Sequence, residues 1–369
     1  MQHPKILVTA AAGRTGSAAV FQLLEKGFPV RAFVRRRSAR AVQLEKAGAE
    51  LFIGDLFDFR DLRTALLEVQ RAYYCPPFAP NLLHGAMLFA IAAEEAHLEV
   101  VTLMSQWNPH ATHPSYISRE HWIANHLYRW MPSVDVIHIN PGIFAFVYLL
   151  GLPMITHFGL LMAPFGEGRN APPSNEDIAR VAASALVDPA PHIGKSYRPT
   201  GPDLLSTHDM ANILSKILDR RVKYQDTSLK MFAKAAKALG FPDFETAQMR
   251  YYADDIRHGS FEVGTPTHHV EQVTGQKPES FEQTAHRYLQ NPALIHPRLA
   301  HMSKIGAITL LVRTLFSRVP DWEEWERDRN HPLLKQTQLA VHNPNWVVSA
   351  QQQQLNLLQL RNPQYAPLT

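Results

Sequence analysis

The stretch Ile6–Gly27, ILVTAAAGRTGSAAVFQLLEKG, limits what this chain can fold into more than any other. Ile6–Thr9 is a short apolar run ahead of a glycine turn, the pattern of a parallel strand buried on both faces. The turn is Ala10-Ala11-Ala12-Gly13-Arg14-Thr15-Gly16, and Ser17–Lys26 reads as a helix closed by Gly27. Ala18, Ala19, Leu23 and Leu24 can face a sheet. A strand that enters a helix through small residues sets free N–H groups and a partial positive charge at the turn, where a phosphate binds.

The same rhythm repeats. Further strands are expected at Val30–Val34, Glu50–Ile53, Ala72–Cys75, Val100–Met104 and Val134–Ile139, with helices between them. This alternation predicts an α/β fold built on a doubly wound parallel sheet. Such sheets bind ligands beyond the carboxyl ends of their strands. That rule gathers Ala10–Gly16, Arg35–Arg37, Asp55, Pro76–Pro77, Ser105 and Asn140–Gly142 into one rim. After Gly142 the rhythm breaks. Phe144–Ala163 is apolar, Gly166–Arg169 is a turn, and helices are expected at Asn175–Leu186, Thr207–Leu218, Ser228–Leu239 and Phe281–Leu289. Tyr197–Thr200 reads as one more strand, and Asp254–Thr265 looks irregular. The expected organisation is a nucleotide-binding domain over 1–150, to which 174–202 contribute, a smaller α/β lobe over 151–299, and an extension over 300–369.

In the turn, Gly13 would let backbone approach a pyrophosphate, and Gly16 would let the helix pack close to the first strand. The spacing is G-x-x-G-x-x-G with Ala10 in the first place. The end of the second strand selects the cofactor. An acid there would bond a ribose 2′-hydroxyl, but Arg35 stands nineteen residues past Gly16, beside Arg36 and Arg37. A guanidinium pairs with a 2′-phosphate in bidentate fashion, so NADP(H) is expected, with Arg14 as a second phosphate contact. Asp55 is placed to accept from the adenine amino group or to cap a helix.

The charge balance fits this. Net charge is +4 and the sequence pI about 9.1, and Arg31, Arg35, Arg36, Arg37 and Arg40 crowd one segment. No arginine-rich tail or DNA-binding motif accompanies them, so no nucleic-acid partner is expected. A single cysteine, Cys75, excludes an intrachain disulfide and a multi-cysteine metal site. With no signal-peptide pattern at the start, a cytoplasmic location is expected. Val134–Phe165, the most apolar region, is broken by His138, Asn140, Pro141, Gly151, Pro153 and His157, which argues for core rather than a membrane span.

VTAAAGRTG (8–16), VRAFVRR (30–36), GDL (54–56), MSQ (104–106), NPGIF (140–144), PFGEGR (164–169), EDIARVAA (176–183) and GKSYRPTGPDLLS (194–206) together resemble the NmrA-like group of atypical short-chain dehydrogenase/reductases. The resemblance covers about residues 4–290. It implies a Rossmann sheet of order 3-2-1-4-5-6, a smaller C-terminal lobe, and NADP(H) in the cleft between them. It places the cofactor against Thr9, Ala11, Gly13, Arg14, Thr15, Gly16, Arg35, Asp55, Leu56, Pro76, Ser105, His121 and Pro141. The group holds NADPH-dependent reductases, quinone reductases among them, and non-catalytic proteins that sense NADP(H).

One departure bears on chemistry. Short-chain dehydrogenases use Tyr-x-x-x-Lys with an upstream Ser. Ser105 stands at the right strand end, but Tyr116 has Glu120 four residues on. His121 lies where many members of the group carry Lys or His, and a histidine is suited to acid work at neutral pH. Ser105 and His121 are therefore the catalytic candidates. His110, His113, His121, His126 and His138 lack metal-ligand spacing, and no metal is expected. Cys75 at the strand end reads as redox-sensitive or as packing. Phe78, Phe144, Phe146 and Tyr148 read as pocket walls or as core. The expected function is NADPH-dependent hydride transfer to a small apolar, aromatic or quinone-like acceptor in the interdomain cleft. The alternative is a non-catalytic NADP(H) sensor acting through a protein partner. The extension is expected to dock on the body, on a second copy or on a partner, and Ile305–Phe316 also suits a membrane surface.

Overall fold

The structure, a computed structural model, describes residues 3–295, 302–319 and 321–355. The first half alternates β1 (Ile6–Val8), α1 (Arg14–Glu25), β2 (Val30–Val34), α2 (Ala39–Lys46), β3 (Glu50–Ile53), α3 (Phe59–Ala65), β4 (Arg71–Tyr74), α4 (Leu82–Glu95), β5 (Val100–Met104), α5 (Tyr116–Arg129) and β6 (Asp135–Ile139). Then come α6 (Leu152–Phe158), β7 (Leu160–Ala163), β8 (Arg169–Asn170), α7 (Asn175–Val187), β9 (Ser196–Tyr197), β10 (Leu205–Ser206), α8 (Thr207–Ile217), β11 (Lys223–Asp226), α9 (Leu229–Leu239), α10 (Asp243–Arg257), α11 (His269–Thr274) and α12 (Phe281–Gln290). The extension holds α13 (Lys304–Phe316), α14 (Trp322–Asp328) and α15 (Pro344–Gln351), and its final stretch, 356–369, lies outside the described residues.

The parallel sheet has the order β3-β2-β1-β4-β5-β6-β9, so the expected 3-2-1-4-5-6 arrangement gains a seventh strand from Ser196–Tyr197. Its two faces carry separate cores. α1 and α7 lie on one, with Ala19, Val20, Leu23, Val181 and Ala182 fully buried. The small residues of α7 let the two helices pack closely. α3, α4 and α5 cover the other with Leu62, Phe89 and Ile117. The lobe adds two small sheets, β7 parallel to β11 and β8 antiparallel to β10.

Two boundaries differ from expectation with consequences for the site. α1 begins at Arg14, not Ser17, because Gly13 is its extended N-cap (φ −73°, ψ 176°). Gly16 thus sits in the first helical turn, against the backbone of Ala10. The long helix α10 takes in Asp254–Arg257, the first four residues of the stretch expected to be irregular, while 258–264 form turns as expected. Pro242 fixes its start and Asp243 and Glu245 occupy its first turn.

Ala10 has φ +47°, the left-handed region that glycine adopts without strain. Its methyl fits, at a cost of about 1–2 kcal/mol. Ala10→Gly is therefore expected to stabilise the protein by about 1 kcal/mol, after allowing for the extra freedom glycine brings to the unfolded chain. Urea titration checks this, and an unchanged or lowered midpoint counts against a strained turn.

Candidate functional site

The rim expected from the strand ends is assembled around the first turn. Gly13 is exposed and Gly16 buried. A Cβ at Gly13 would lie 2.9 Å from the carbonyl oxygen of Ala10, and one at Gly16 only 2.4 Å from it. Both glycines are thus required by the backbone itself. The turn is tied down from beneath. Ala11 donates its N–H to the Phe33 carbonyl (3.1 Å), and Arg40 donates to the Ala12 carbonyl (3.0 Å). The N–H groups of the first turn of α1 have no intrahelical acceptor and face the rim.

Several expected site residues are committed to the scaffold. The Thr9 hydroxyl accepts the Cys75 N–H (2.8 Å) and so laces β1 to β4. The Thr15 hydroxyl donates to Asn175 Oδ1 (3.1 Å), joining α1 to α7. These two hydroxyls tie the turn to its neighbours. Asp55 accepts the Phe57 N–H (3.0 Å), and Asp58 rather than Asp55 caps α3. Leu56 is half-buried beside it.

Arg14 does not point toward the end of β2. Its guanidinium donates to the carbonyls of Leu294 (3.0 Å) and Ile295 and lies 4.1 Å from the centre of the Phe146 ring. Arg14, expected as a second phosphate contact, here fastens the turn to Leu294 and Ile295. At the end of β2 the arginines divide. Arg37 pairs with Glu45 and Arg40 is held by Ala12. Arg35 and Arg36 are exposed, and their guanidinium groups have no hydrogen-bond or ion-pair partner among the described residues. An unpaired guanidinium pair beside a glycine cradle is the arrangement a phosphate needs.

Arg14, Thr15, Pro76, Ser105, His121 and Pro141 all border a cavity of about 520 Å³ between the sheet and the lobe. Its far side is apolar, formed by Phe146, Met154, Phe165, Met231 and Phe232, with Leu310 and Leu311 of α13 closing it. Phe78 and Phe144 also face it, whereas Tyr148 is buried outside it and bonds Asn170. Among the described residues the charged side chains bordering it are Arg14 and Glu245, and burial raises the Glu245 carboxyl while nearby Arg14 opposes this. Asn125 donates to the Ser105 hydroxyl (2.9 Å). It stands four residues after His121 on the same face of α5, a spacing visible in the sequence and not used there. Tyr252 of α10 donates to Gln106 and borders the cavity, and the missed helix hid it.

His121, the other catalytic candidate, lies buried on α5 at the border of the cavity. Burial, with no carboxylate to oppose it, pushes its pKa down to about 3. At neutral pH it is a neutral imidazole and not a ready proton donor. The unfolded chain takes up this proton first, near pH 6.5. The group's stabilisation is complete above pH 6.5 and declines as pH falls toward 3, by about 1.4 kcal/mol per pH unit. His121→Gln should remove one proton from the pH dependence of urea unfolding in that range. An unchanged slope would show that His121 is not held neutral.

Tyr116 stacks on His331 (4.7 Å) and donates to the Pro80 carbonyl (3.1 Å). Its hydroxyl is pushed up to about 12, by burial first and then by Glu120. The Cys75 thiol is pushed up to about 12 by burial, so it stays protonated. His113 bonds Asp255 (2.7 Å) in a buried network with Asn108 and Ser260. Among the described residues no three His, Cys, Asp or Glu side chains form a metal-binding group.

The comparisons with known proteins agree with this fold. A family model described as the NmrA-like family matches residues 2–288. An NAD(P)H azoreductase of Xenophilus azovorans is 28% identical over 76% of this chain and 96% of its own length. The crystal structure of an NADPH-dependent quinone oxidoreductase from Escherichia coli, complexed with NADPH, aligns with a TM-score of 0.66 at 23% identity, over 77% of this chain and 99% of that one. A Citrobacter triphenylmethane reductase complexed with NADP(H) aligns with a TM-score of 0.66 at 20% identity, over 76% and 99% of the two chains. The stretch matched by the family model ends before α13.

Proposed function

The chain belongs to the NmrA-like family, and from its cleft we propose that it is an NADPH-dependent oxidoreductase acting on apolar, aromatic or quinone-like acceptors. The observation that carries this is continuity: Arg14 and Thr15 of the glycine turn border a cavity of about 520 Å³ walled by aromatic and methionine side chains, and Arg35 and Arg36 follow β2, the strand paired with β1. The residues fit NADP(H). Gly13 leaves backbone accessible to a pyrophosphate while Gly16 lets α1 pack against the turn, Arg35 and Arg36 offer charge to a 2′-phosphate, and Pro76, Ser105 and Pro141 border the cavity. The bound nicotinamide supplies hydride.

The protein's own part is chiefly positioning and exclusion of water. The apolar wall takes a flat hydrophobic acceptor by burying it. Asn125 orients the Ser105 hydroxyl, whose proton can be directed into the cavity. Neutral His121 offers a ring N–H as a hydrogen-bond donor without carrying charge. Acceptors whose reduced forms are stable anions need little proton donation, which suits a site without a Tyr–Lys pair.

Relatives named for azo, quinone and triphenylmethane substrates support this acceptor class. The test is NADPH oxidation against quinones, azo dyes and triarylmethane dyes. Turnover is expected with at least one class, with KM rising and kcat little changed in Met231→Ala. Tight NADPH binding without turnover on any of them would favour the sensor reading instead.

A further inference from the structure

The outward face of α13 is unusual for a surface helix. Ile305 and Phe316 are 76% and 83% exposed, and Ile308, Val312 and Leu315 are about half exposed. Their spacing of three and four places them on one stripe. The opposite face holds buried Ala307 and Thr314, with Leu310 and Leu311 bordering the cavity. α13 is therefore apolar on both sides, one turned to the cavity and one to the surroundings. It lies beyond residues 2–288, the stretch that the family model matches.

The charged residues of the two helices that form this face have one sign. α9, against which α13 packs, carries Lys230, Lys234 and Lys237, and α13 carries Lys304 and Arg313. Neither helix contains an aspartate or glutamate. Lys234 Nζ donates to the Leu315 carbonyl (2.8 Å), and Lys237 faces Asp243 at 3.8 Å. Arg318 follows α13 and is exposed. A second copy laid on this face about a two-fold axis would bring like charges together. An anionic bilayer surface takes the cations and the apolar stripe at once. Among the described residues no helix is long and apolar enough to cross a membrane, so contact would be with its surface.

We propose that the α9–α13 face docks on an anionic phospholipid bilayer and that the cavity behind α13 draws its apolar acceptor from that bilayer. The second half rests on the reductase reading, while docking can be read without turnover. Full-length protein is sedimented with phosphatidylglycerol-containing vesicles and with pure phosphatidylcholine vesicles. Binding is expected only to the former, weakening with added salt, and Ile305→Ser/Phe316→Ser should lower vesicle affinity by about tenfold or more. Removing a cation, as in Lys230→Ala, should lower it about fivefold. Unchanged NADPH affinity in these variants shows that they fold. With a long-chain quinone held in the vesicles, the double variant should lose turnover but retain it with a water-soluble quinone. The proposal is overturned if wild type ignores anionic vesicles or if the double variant binds them equally. It is also overturned if that variant merely converts a dimer to a monomer.

Discussion

Gly16→Ala is expected to cost about 3 kcal/mol of stability and to abolish measurable NADPH binding. The added Cβ would lie 2.4 Å from the Ala10 carbonyl oxygen and 3.0 Å from the Ala11 Cα, both backbone atoms. No side-chain rotation relieves such a clash, so α1 must move away from β1, at the upper end of the usual overpacking cost. That movement pulls the first-turn N–H groups off the rim. Gly13→Ala meets the same carbonyl at 2.9 Å and should be milder. Urea unfolding and NADPH titration read both effects, and a Gly16→Ala protein that binds NADPH normally would refute the tight turn.

Arg35→Asp is expected to weaken NADPH binding about 100-fold and to leave NADH binding nearly unchanged. A charge-assisted hydrogen bond to phosphate contributes about 1.5–3 kcal/mol, and reversal of charge adds repulsion. Arg37 and Arg40 cannot readily substitute, since Glu45 and the Ala12 carbonyl hold them. Arg36 is the remaining neighbour, and Arg35→Asp/Arg36→Ala should widen the gap between the two cofactors. Calorimetric titration with each nucleotide checks this. Equal losses for NADPH and NADH would remove the 2′-phosphate from the account.

The strand–turn–helix rhythm was legible because a parallel strand buried on both faces must be largely apolar, as β1, β2 and β5 are, while β3 at the sheet edge is exposed at both ends. The rim followed from topology alone. The start of α1 was misread because Gly16 looks like turn when it is helix, and a helix's first turn tolerates glycine where close packing demands it. The direction of Arg14 could not be read from its neighbours, since its partners Leu294 and Ile295 lie at the far end of the lobe. The neutrality of His121 likewise depends on what buries it and not on its place in the sequence. α10 left a readable start in Pro242, Asp243 and Glu245 that went unused, and with it went Tyr252. The two-sided apolar pattern of α13 was visible, but only folding shows that its inner face closes the cavity.

The central claim is that the apolar cavity and the glycine cradle form one reductase site. The most direct measurement is a single turnover. The protein is loaded with a stoichiometric amount of NADPH and mixed with a quinone or azo dye, and nicotinamide absorbance is followed. The account expects one equivalent of NADPH to be oxidised per site, more slowly with hydride-deuterated NADPH and not at all in Gly16→Ala. Bound NADPH that persists in wild type beside every acceptor, with affinity intact, would contradict it.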